Sequence, residues 1–184
     1  PSVNASGVDF AVKDGAILYS LAALKNAGAG AIAQIVSARG EGGPFTSISN
    51  FARRVDGRAL NKRALESLAK SGAFDPLNAN RAQVLAGVET IIAVAGRASA
   101  EAAAGQNDLF GSGPSSDETV LAGREAWLPM EKLSNEFESI GFYLSGHPLD
   151  QYEKVLGKLG VRRFVEFEAL AARGATAARL AGIV

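Results

Sequence analysis

The fold is decided by a glycine-containing stretch near the start of the chain, Leu24-Lys25-Asn26-Ala27-Gly28-Ala29-Gly30-Ala31-Ile32. Apolar residues recur at helical spacing on both sides of the glycines, which predicts two helices joined by a tight Gly-x-Gly turn. Such a turn leaves unpaired backbone N–H groups at the start of the second helix, where the helix dipole is positive. An anion can bind there, and glycine is needed because a Cβ atom would collide with an approaching phosphate. The predicted phosphate contacts of this turn are Gly28 and Gly30, with Lys25 and Arg39 beside them.

A second glycine turn of the same kind follows further along the chain. The helix that carries Leu65 and Leu68 runs into Gly72, and another helix begins beyond it. Two such hairpins in tandem can hold phosphates along a duplex, which positions a protein on DNA without reading its sequence. The pattern therefore predicts a tandem helix–hairpin–helix domain. The predicted phosphate contacts around the second turn are Lys62, Arg63, Lys70, Gly72 and Arg81.

The first glycine turn leaves two alternatives open. It also matches Gly-x-Gly-x-x-Ala, the fingerprint of a dinucleotide-binding fold. That fold needs a buried strand directly before the glycines, but Leu21-Ala22-Ala23-Leu24 has helical spacing. It also needs a second strand after the helix, but the helix is followed by Gly42-Gly43-Pro44. A nucleotide-binding enzyme that uses Gly28 and Gly30 is therefore the less favoured alternative. The other is a glycine turn that packs two helices without any ligand.

Composition and charge predict a globular protein with a basic and an acidic half. Of the 184 residues 47% are apolar and 21% are charged. No cysteine is present, which excludes disulfides and thiolate metal sites, and we expect a cytoplasmic location. Residues 21–81 hold nine cations and four acids, whereas residues 101–170 hold six cations and twelve acids. The basic half suggests a polyanionic partner such as nucleic acid.

Periodicity predicts a mainly α fold with a short β-hairpin at the front. Phe10 and Val12 alternate with polar or small residues before an Asp14-Gly15 turn, which predicts the hairpin. Apolar residues from Val84 to Ala95 recur at the spacing of one amphipathic helix, the longest of the chain. After residue 104 the composition changes to Gly, Ser, Pro and Asp, which is typical of a flexible linker.

An adjacent leucine and phenylalanine lie within this predicted linker, in Gln106-Asn107-Asp108-Leu109-Phe110. A polar linker offers no neighbours to bury them, and an aromatic anchor beside a leucine is how short linear motifs fill a pocket on a partner. The alternative is that both side chains fold back onto their own domain. The predicted partner-binding residues are Gln106, Asp108, Leu109 and Phe110.

These residues and several longer stretches resemble the family of bacterial DNA polymerase III alpha subunits. Gln106 to Phe110 is similar to the internal motif with which that family binds the sliding clamp, the beta subunit, and Asn107 is a departure at the second position of the motif. Glu136 to Leu149 is similar to the signature before the family's OB domain. The other stretches that resemble the family are 8–17 (the end of its fingers region), 21–28 and 61–75 (its two helix–hairpin–helix turns) and 180–184 (the first strand of the OB domain).

The resemblance implies a segment of a DNA-directed DNA polymerase, which joins deoxynucleotides on a template with Mg²⁺ and palm aspartates. No Asp-x-Asp pair occurs in this chain, so we expect the segment to be inactive alone and to hold no cofactor. Other replicase subunits are expected partners of the parent enzyme. A free-standing helix–hairpin–helix adapter in DNA repair is the alternative from a different class of protein.

The resemblance also predicts how the chain divides. We expect the chain to be a piece of a larger protein, because it begins with Pro1 and ends on a strand-like run. The predicted parts are the end of the fingers region (1–20), a tandem helix–hairpin–helix DNA-binding domain (21–104), a flexible linker with the clamp-binding peptide (105–126), a helical connector (127–172) and the truncated start of an OB domain (173–184).

Overall fold

The computed structural model describes residues 1–104 and 121–183, which form eight α-helices, one 3-10 turn and one two-stranded sheet. The mainly α class predicted from periodicity is confirmed. In this part of the chain no helix is long and apolar enough to cross a membrane. The elements are β1 Ala11–Lys13, β2 Ala16–Leu18, α1 Ala29–Gly42, α2 Ile48–Arg54, α3 Lys62–Lys70, α4 Arg81–Ala86, α5 Val88–Ala103, α6 Pro129–Ile140, the 3-10 turn Asp150–Tyr152, α7 Glu153–Lys158 and α8 Phe164–Ala172.

The predicted N-terminal hairpin is present. Strands β1 and β2 pair antiparallel, with Val12 opposite Ile17. Asp14 and Gly15 connect them with φ values of 52° and 76°. Positive φ at both central residues is what a two-residue type I′ turn requires, so the Asp-Gly pair specifies this connection.

Helices α2, α3 and α5 build the core of the first compact unit. Helix α2 packs along α5, and α3 contacts α4, α5 and α6. Phe51 of α2 is fully buried and makes edge-to-face contacts with Phe45 and Phe74, whose ring centroids are 5.1 and 4.9 Å away. Asn61 caps α3, because its side chain accepts a hydrogen bond of 2.8 Å from the N–H of Ala64. The core and the cap together fix α3, whose first two residues, Lys62 and Arg63, are exposed to solvent.

The single long helix predicted over Val84 to Ala95 is two helices. The chain turns at Gly87, whose N–H donates to the carbonyl groups of Gln83 and Val84 at 3.0 and 3.1 Å. Leu121 packs against this turn, and a Cβ on Gly87 would lie 2.5 Å from Leu121 Cδ2. The glycine therefore leaves room for Leu121, which enters the core with 8% of its surface exposed.

The residues before Gly28 depart from the predicted first hairpin. They form consecutive turns instead of a helix, and the N–H groups of Leu24 and Ala27 donate to the carbonyl groups of Leu21 and Leu24. Asn26 adopts a φ of 61°, through which no right-handed helix continues. The described residues also lack the dinucleotide-binding fold, because turns and not a strand lead into the glycines, and their sheet is the antiparallel hairpin alone.

The chain divides into two compact units, Pro1–Phe142 and Tyr143–Val184. The first contains the hairpin and helices α1 to α6, and the second contains the 3-10 turn, α7 and α8. Within residues 173–183 the predicted strand is not formed beyond a single parallel bridge between Val161 and Arg179. A lone strand-like segment does not hold an extended ladder without neighbouring strands. The predicted five-part division stays a prediction.

Candidate nucleic-acid interface

The first glycine turn forms an exposed loop that is tied to the end of α6. The N–H of Lys25 donates to the carbonyl oxygen of Ser139 at 2.9 Å. Gly28 is the N-cap of α1 and has a φ of 70°, which favours glycine at this position. No side chain caps α1, and beyond the adjoining backbone no described atom lies within 4 Å of the Cβ position at Gly28 or Gly30. The start of α1 is therefore open to an approaching anion.

Two surface cavities bring four of the predicted phosphate contacts together. Both cavities are lined by Asn26 and Arg63. The first, of about 480 Å³, also includes Lys25 and Lys70, and the second, of about 510 Å³, includes Lys62. We call Lys25, Lys62, Arg63 and Lys70 the basic surface. It joins the glycine loop to both ends of α3.

Two cations of the basic surface are paired with carboxylates. The Nζ atom of Lys62 lies 2.7 Å from Glu89 Oε1, and that of Lys70 lies 2.7 Å from Glu138 Oε1. The hydrogen bond from Lys62 to Glu89 raises the pKa of the lysine and lowers the pKa of the glutamate. Both lysines are therefore partly neutralised by the protein itself.

The other two cations of the basic surface have no such partner. Within residues 1–104 and 121–183, no carboxylate lies at ion-pair distance from Lys25 or Arg63. Both residues are exposed. A phosphate can therefore approach them without displacing an internal acid.

Arg81 lies outside this surface, in a buried ion network. Its Nη2 is 2.8 Å from Asp75 Oδ2, and its Nη1 is 3.2 Å from Glu136 Oε1. Burial lowers the pKa of Arg81, but the hydrogen bonds and charges of the two acids outweigh burial, and the pKa is raised. Gly72 packs against the guanidinium, with which any side chain at position 72 would collide. Arg81 and Gly72 thus take part in an internal network, and the phosphate contacts predicted for them stay a prediction.

Arg39 also has an internal role. Its Nη1 donates to the carbonyl oxygens of Val3 and Ser6 at 2.9 and 2.8 Å. These bonds attach the N-terminal segment to α1. The Nη1 of Arg39 is therefore engaged by the backbone, and the phosphate contact of this residue stays a prediction.

Two further predictions concern the linker peptide and Mg²⁺. The peptide Gln106 to Phe110 lies outside the described residues. Mg²⁺, which the family resemblance implies for the parent enzyme, has no ligand set here, because no three His, Cys, Asp or Glu side chains cluster among the described residues.

Sequence reasoning missed several residues of the site, among them Asn26, Glu138 and Ser139. Asn26 had a usable signal, because asparagine tolerates left-handed φ and it stands two positions before a glycine. Glu138 and Ser139 lie on α6, far from the glycine turn in sequence. Their contribution depends on how α6 packs against α3, which no local pattern reveals.

A family model for the helix–hairpin–helix motif matches residues 1–84, which include both glycine turns and the basic surface. Over these residues the chain is therefore similar to the helix–hairpin–helix class.

Relatives narrow this class to one family. The chain is 44% identical over 187 residues to DNA polymerase III subunit alpha of Caulobacter vibrioides, which covers 100% of this chain and 16% of the relative. It is 37% identical over 162 residues to the same subunit of Vibrio cholerae, a match that covers 86% of this chain and 14% of the relative. It is 36% identical over 168 residues to the subunit of Escherichia coli K12, a match that covers 88% of this chain and 14% of the relative. The chain belongs to the family of DNA polymerase III alpha subunits, of which it spans about one-sixth. The motif and the relatives support the interpretation of this chain as a DNA-binding region of a replicative polymerase.

Proposed function

We propose that this region binds the backbone of duplex DNA without sequence specificity. The observation that carries the proposal is the basic surface, where Lys25 and Arg63 stand exposed beside the open start of α1. Cations and backbone N–H groups bind phosphate oxygens, which are the same along any sequence. The first compact unit, which includes α6, is then the DNA-binding unit.

The two glycines of the first turn allow the backbone to come close to the ligand. The Cβ positions of Gly28 and Gly30 are open in the structure, so a phosphate could occupy the space that a side chain would fill. If each of the four cations neutralised one phosphate, the affinity would fall roughly a hundredfold between 50 and 200 mM salt, which is the upper limit for this surface. The surface thus predicts strong salt dependence and weak dependence on base sequence.

The test is fluorescence anisotropy of the 184-residue chain with labelled duplexes of two unrelated sequences across a salt series. Lys25→Gln and Arg63→Gln should each weaken binding to both duplexes and lower the salt exponent by about 0.9. Arg97→Gln is the matched control, because Arg97 is an exposed cation on α5 that lines neither cavity. Equal loss in all three variants, or a salt-independent affinity, would contradict the proposal.

We also propose that Gln106, Asp108, Leu109 and Phe110 bind the sliding clamp. The support is their sequence, in which two adjacent apolar residues follow polar ones. Burial of Leu109 and Phe110 in a partner should contribute roughly 1.5–3 kcal/mol each, less the cost of ordering the segment. Binding to DNA and to a clamp around it would act on one assembly and raise the effective concentration of each site.

The clamp proposal is tested by anisotropy of the labelled chain with purified beta subunit. Leu109→Ala with Phe110→Ala should abolish binding at micromolar clamp, whereas Asn107→Ala should keep it, because Asn107 is the departure from the motif. Unchanged affinity in the double variant would show that the peptide does not dock.

For the whole protein we propose the activity that its relatives' names state, DNA-directed DNA polymerisation, with Mg²⁺ at aspartates outside this chain. The setting we propose is cytoplasmic DNA replication, with other replicase subunits as partners. An assay of the full-length protein on a primed template tests this activity.

A further inference from the structure

We infer that Glu138 and Glu89 act as built-in competitors of DNA, which occupy Lys70 and Lys62 until a phosphate displaces them. This inference rests on the proposed DNA-binding function and concerns how that surface is regulated. Each glutamate lies 2.7 Å from the ammonium of its lysine, within the cluster of cations proposed to hold phosphates.

The contact between Lys70 and Glu138 shows why the carboxylate can be exchanged. The side chain of Lys70 is only 20% exposed, whereas that of Glu138 is 67% exposed. The lysine is therefore held in place by its surroundings, and the glutamate can swing into solvent. A phosphate that arrives in the cavity would meet a positioned ammonium whose present partner is exposed to solvent.

The position of α6 makes this competition part of the fold. Glu138 is on α6 next to Ser139, whose carbonyl oxygen accepts the N–H of Lys25. Lys25, Lys70, Glu138 and Ser139 line the same cavity of about 480 Å³. Helix α6 therefore both supports the glycine loop and delivers an acid to the cation beside it.

Lys62 and Glu89 repeat the arrangement at the other end of α3. Here both partners are more exposed, with 55% of the lysine side chain and 78% of the glutamate side chain accessible. Glu89 comes from the first turn of α5, so the acid again belongs to a different helix from its lysine. On the basic surface, Lys25 and Arg63 can therefore bind phosphate directly, whereas Lys62 and Lys70 bind it only in exchange for a carboxylate.

The consequence is a surface of reduced affinity and reduced salt dependence. When an ammonium exchanges a carboxylate for a phosphate, the DNA still releases a counterion, but the freed carboxylate takes up a cation from solution. The net release is therefore smaller, and so is the salt exponent. Such a surface holds duplex through Lys25 and Arg63 and releases it readily. This suits a protein that must move along the product it holds.

The experiment measures duplex affinity of the 184-residue chain and its variants by anisotropy between 50 and 200 mM salt. Glu138→Gln should bind roughly fivefold to tenfold tighter at 0.1 M salt, with a salt exponent steeper by about 0.9. The gain should vanish in a Lys70→Gln background. Glu89→Gln should likewise bind tighter, and that gain should vanish in a Lys62→Gln background. Glu131→Gln is the matched control, seven residues earlier on the same helix and about 10 Å along its axis.

The outcomes separate this inference from the proposed function. A gain in Glu138→Gln that persists without Lys70, or equals that of Glu131→Gln, reflects net charge alone and overturns the inference. Unchanged affinity in Glu138→Gln, with losses in Lys25→Gln and Arg63→Gln, overturns the inference and leaves DNA binding in place. No effect of any cation variant overturns both. Thermal unfolding of each variant by circular dichroism checks that the fold is retained.

Discussion

Arg81 and Glu136 form a buried salt bridge in which Nη1 lies 3.2 Å from Oε1, with the two side chains 9% and 1% exposed. The pair joins the start of α4 to the middle of α6. Asp75 holds the other side of the same guanidinium. This network fixes α6 next to α3, and so it positions Ser139 and Glu138 beside the basic surface.

Removal of one partner of this pair should strongly destabilise the fold. Glu136→Leu would leave Arg81 buried with Asp75 alone, and loss of a partner from a buried ion pair costs about 3 kcal/mol. Urea unfolding followed by circular dichroism measures the change. Glu125→Gln, at an exposed position before α6, should stay within about 0.5 kcal/mol of the parent chain. If Glu136→Leu were equally mild, the network would not hold α6.

The sequence revealed the basic surface better than it revealed the buried cations. Lys25, Lys62 and Arg63 were identified because cations beside a glycine turn are a local pattern. Arg39 and Arg81 share that local pattern, but their guanidinium groups bind protein oxygens. Nothing in a single sequence separates an exposed arginine from a buried one when the acid that neutralises it lies on a distant helix.

The helix boundaries show a similar limit. The caps of α2 and α3 follow from Ser47 and Asn61, whose side chains accept backbone N–H groups as their types predict. The break at Gly87 was missed because the apolar periodicity continues through it. The break depends on Leu121, which comes back from a later part of the chain and occupies the space beside the glycine.

Leu121 should therefore contribute to the stability of the first unit. Its side chain is buried against Gly87, and the carbonyl oxygen of Leu121 accepts the amide of Gln83 at 3.2 Å. Leu121→Ala should cost about 2–3 kcal/mol through lost burial and the cavity left behind. Chemical denaturation measures this cost. Leu128→Ala is the control and should change the stability little, because the side chain of Leu128 is 73% exposed. Similar midpoints in both variants would contradict a packing role for Leu121.

The ion pair of Glu89 with Lys62 predicts a measurable titration. The hydrogen bond from Lys62 lowers the pKa of Glu89 below that of an ordinary glutamate. Its contribution to stability is therefore present above the ordinary glutamate pKa and is lost as the pH falls through the lowered value. Carboxyl-detected NMR should show the Glu89 midpoint rising in Lys62→Gln but not in Arg97→Gln, which removes an exposed cation further along the same helix. An unmoved Glu89 midpoint would argue that the pair is not formed in solution.

Two glycines at the contact between α5 and the loop after α2 should respond to alanine in opposite directions. A Cβ on Gly57 would lie 2.7 Å from the backbone of Ala95 and Gly96, and backbone atoms of a packed helix cannot move aside cheaply. Gly57→Ala should therefore destabilise the fold by about 2 kcal/mol or more. Gly96 lies inside α5 with open space at its own Cβ position, so Gly96→Ala should stabilise by about 0.5–1 kcal/mol through helix propensity. Urea midpoints of the two variants measure this difference, and shifts of the same sign would mean that α5 does not pack on Gly57 as described.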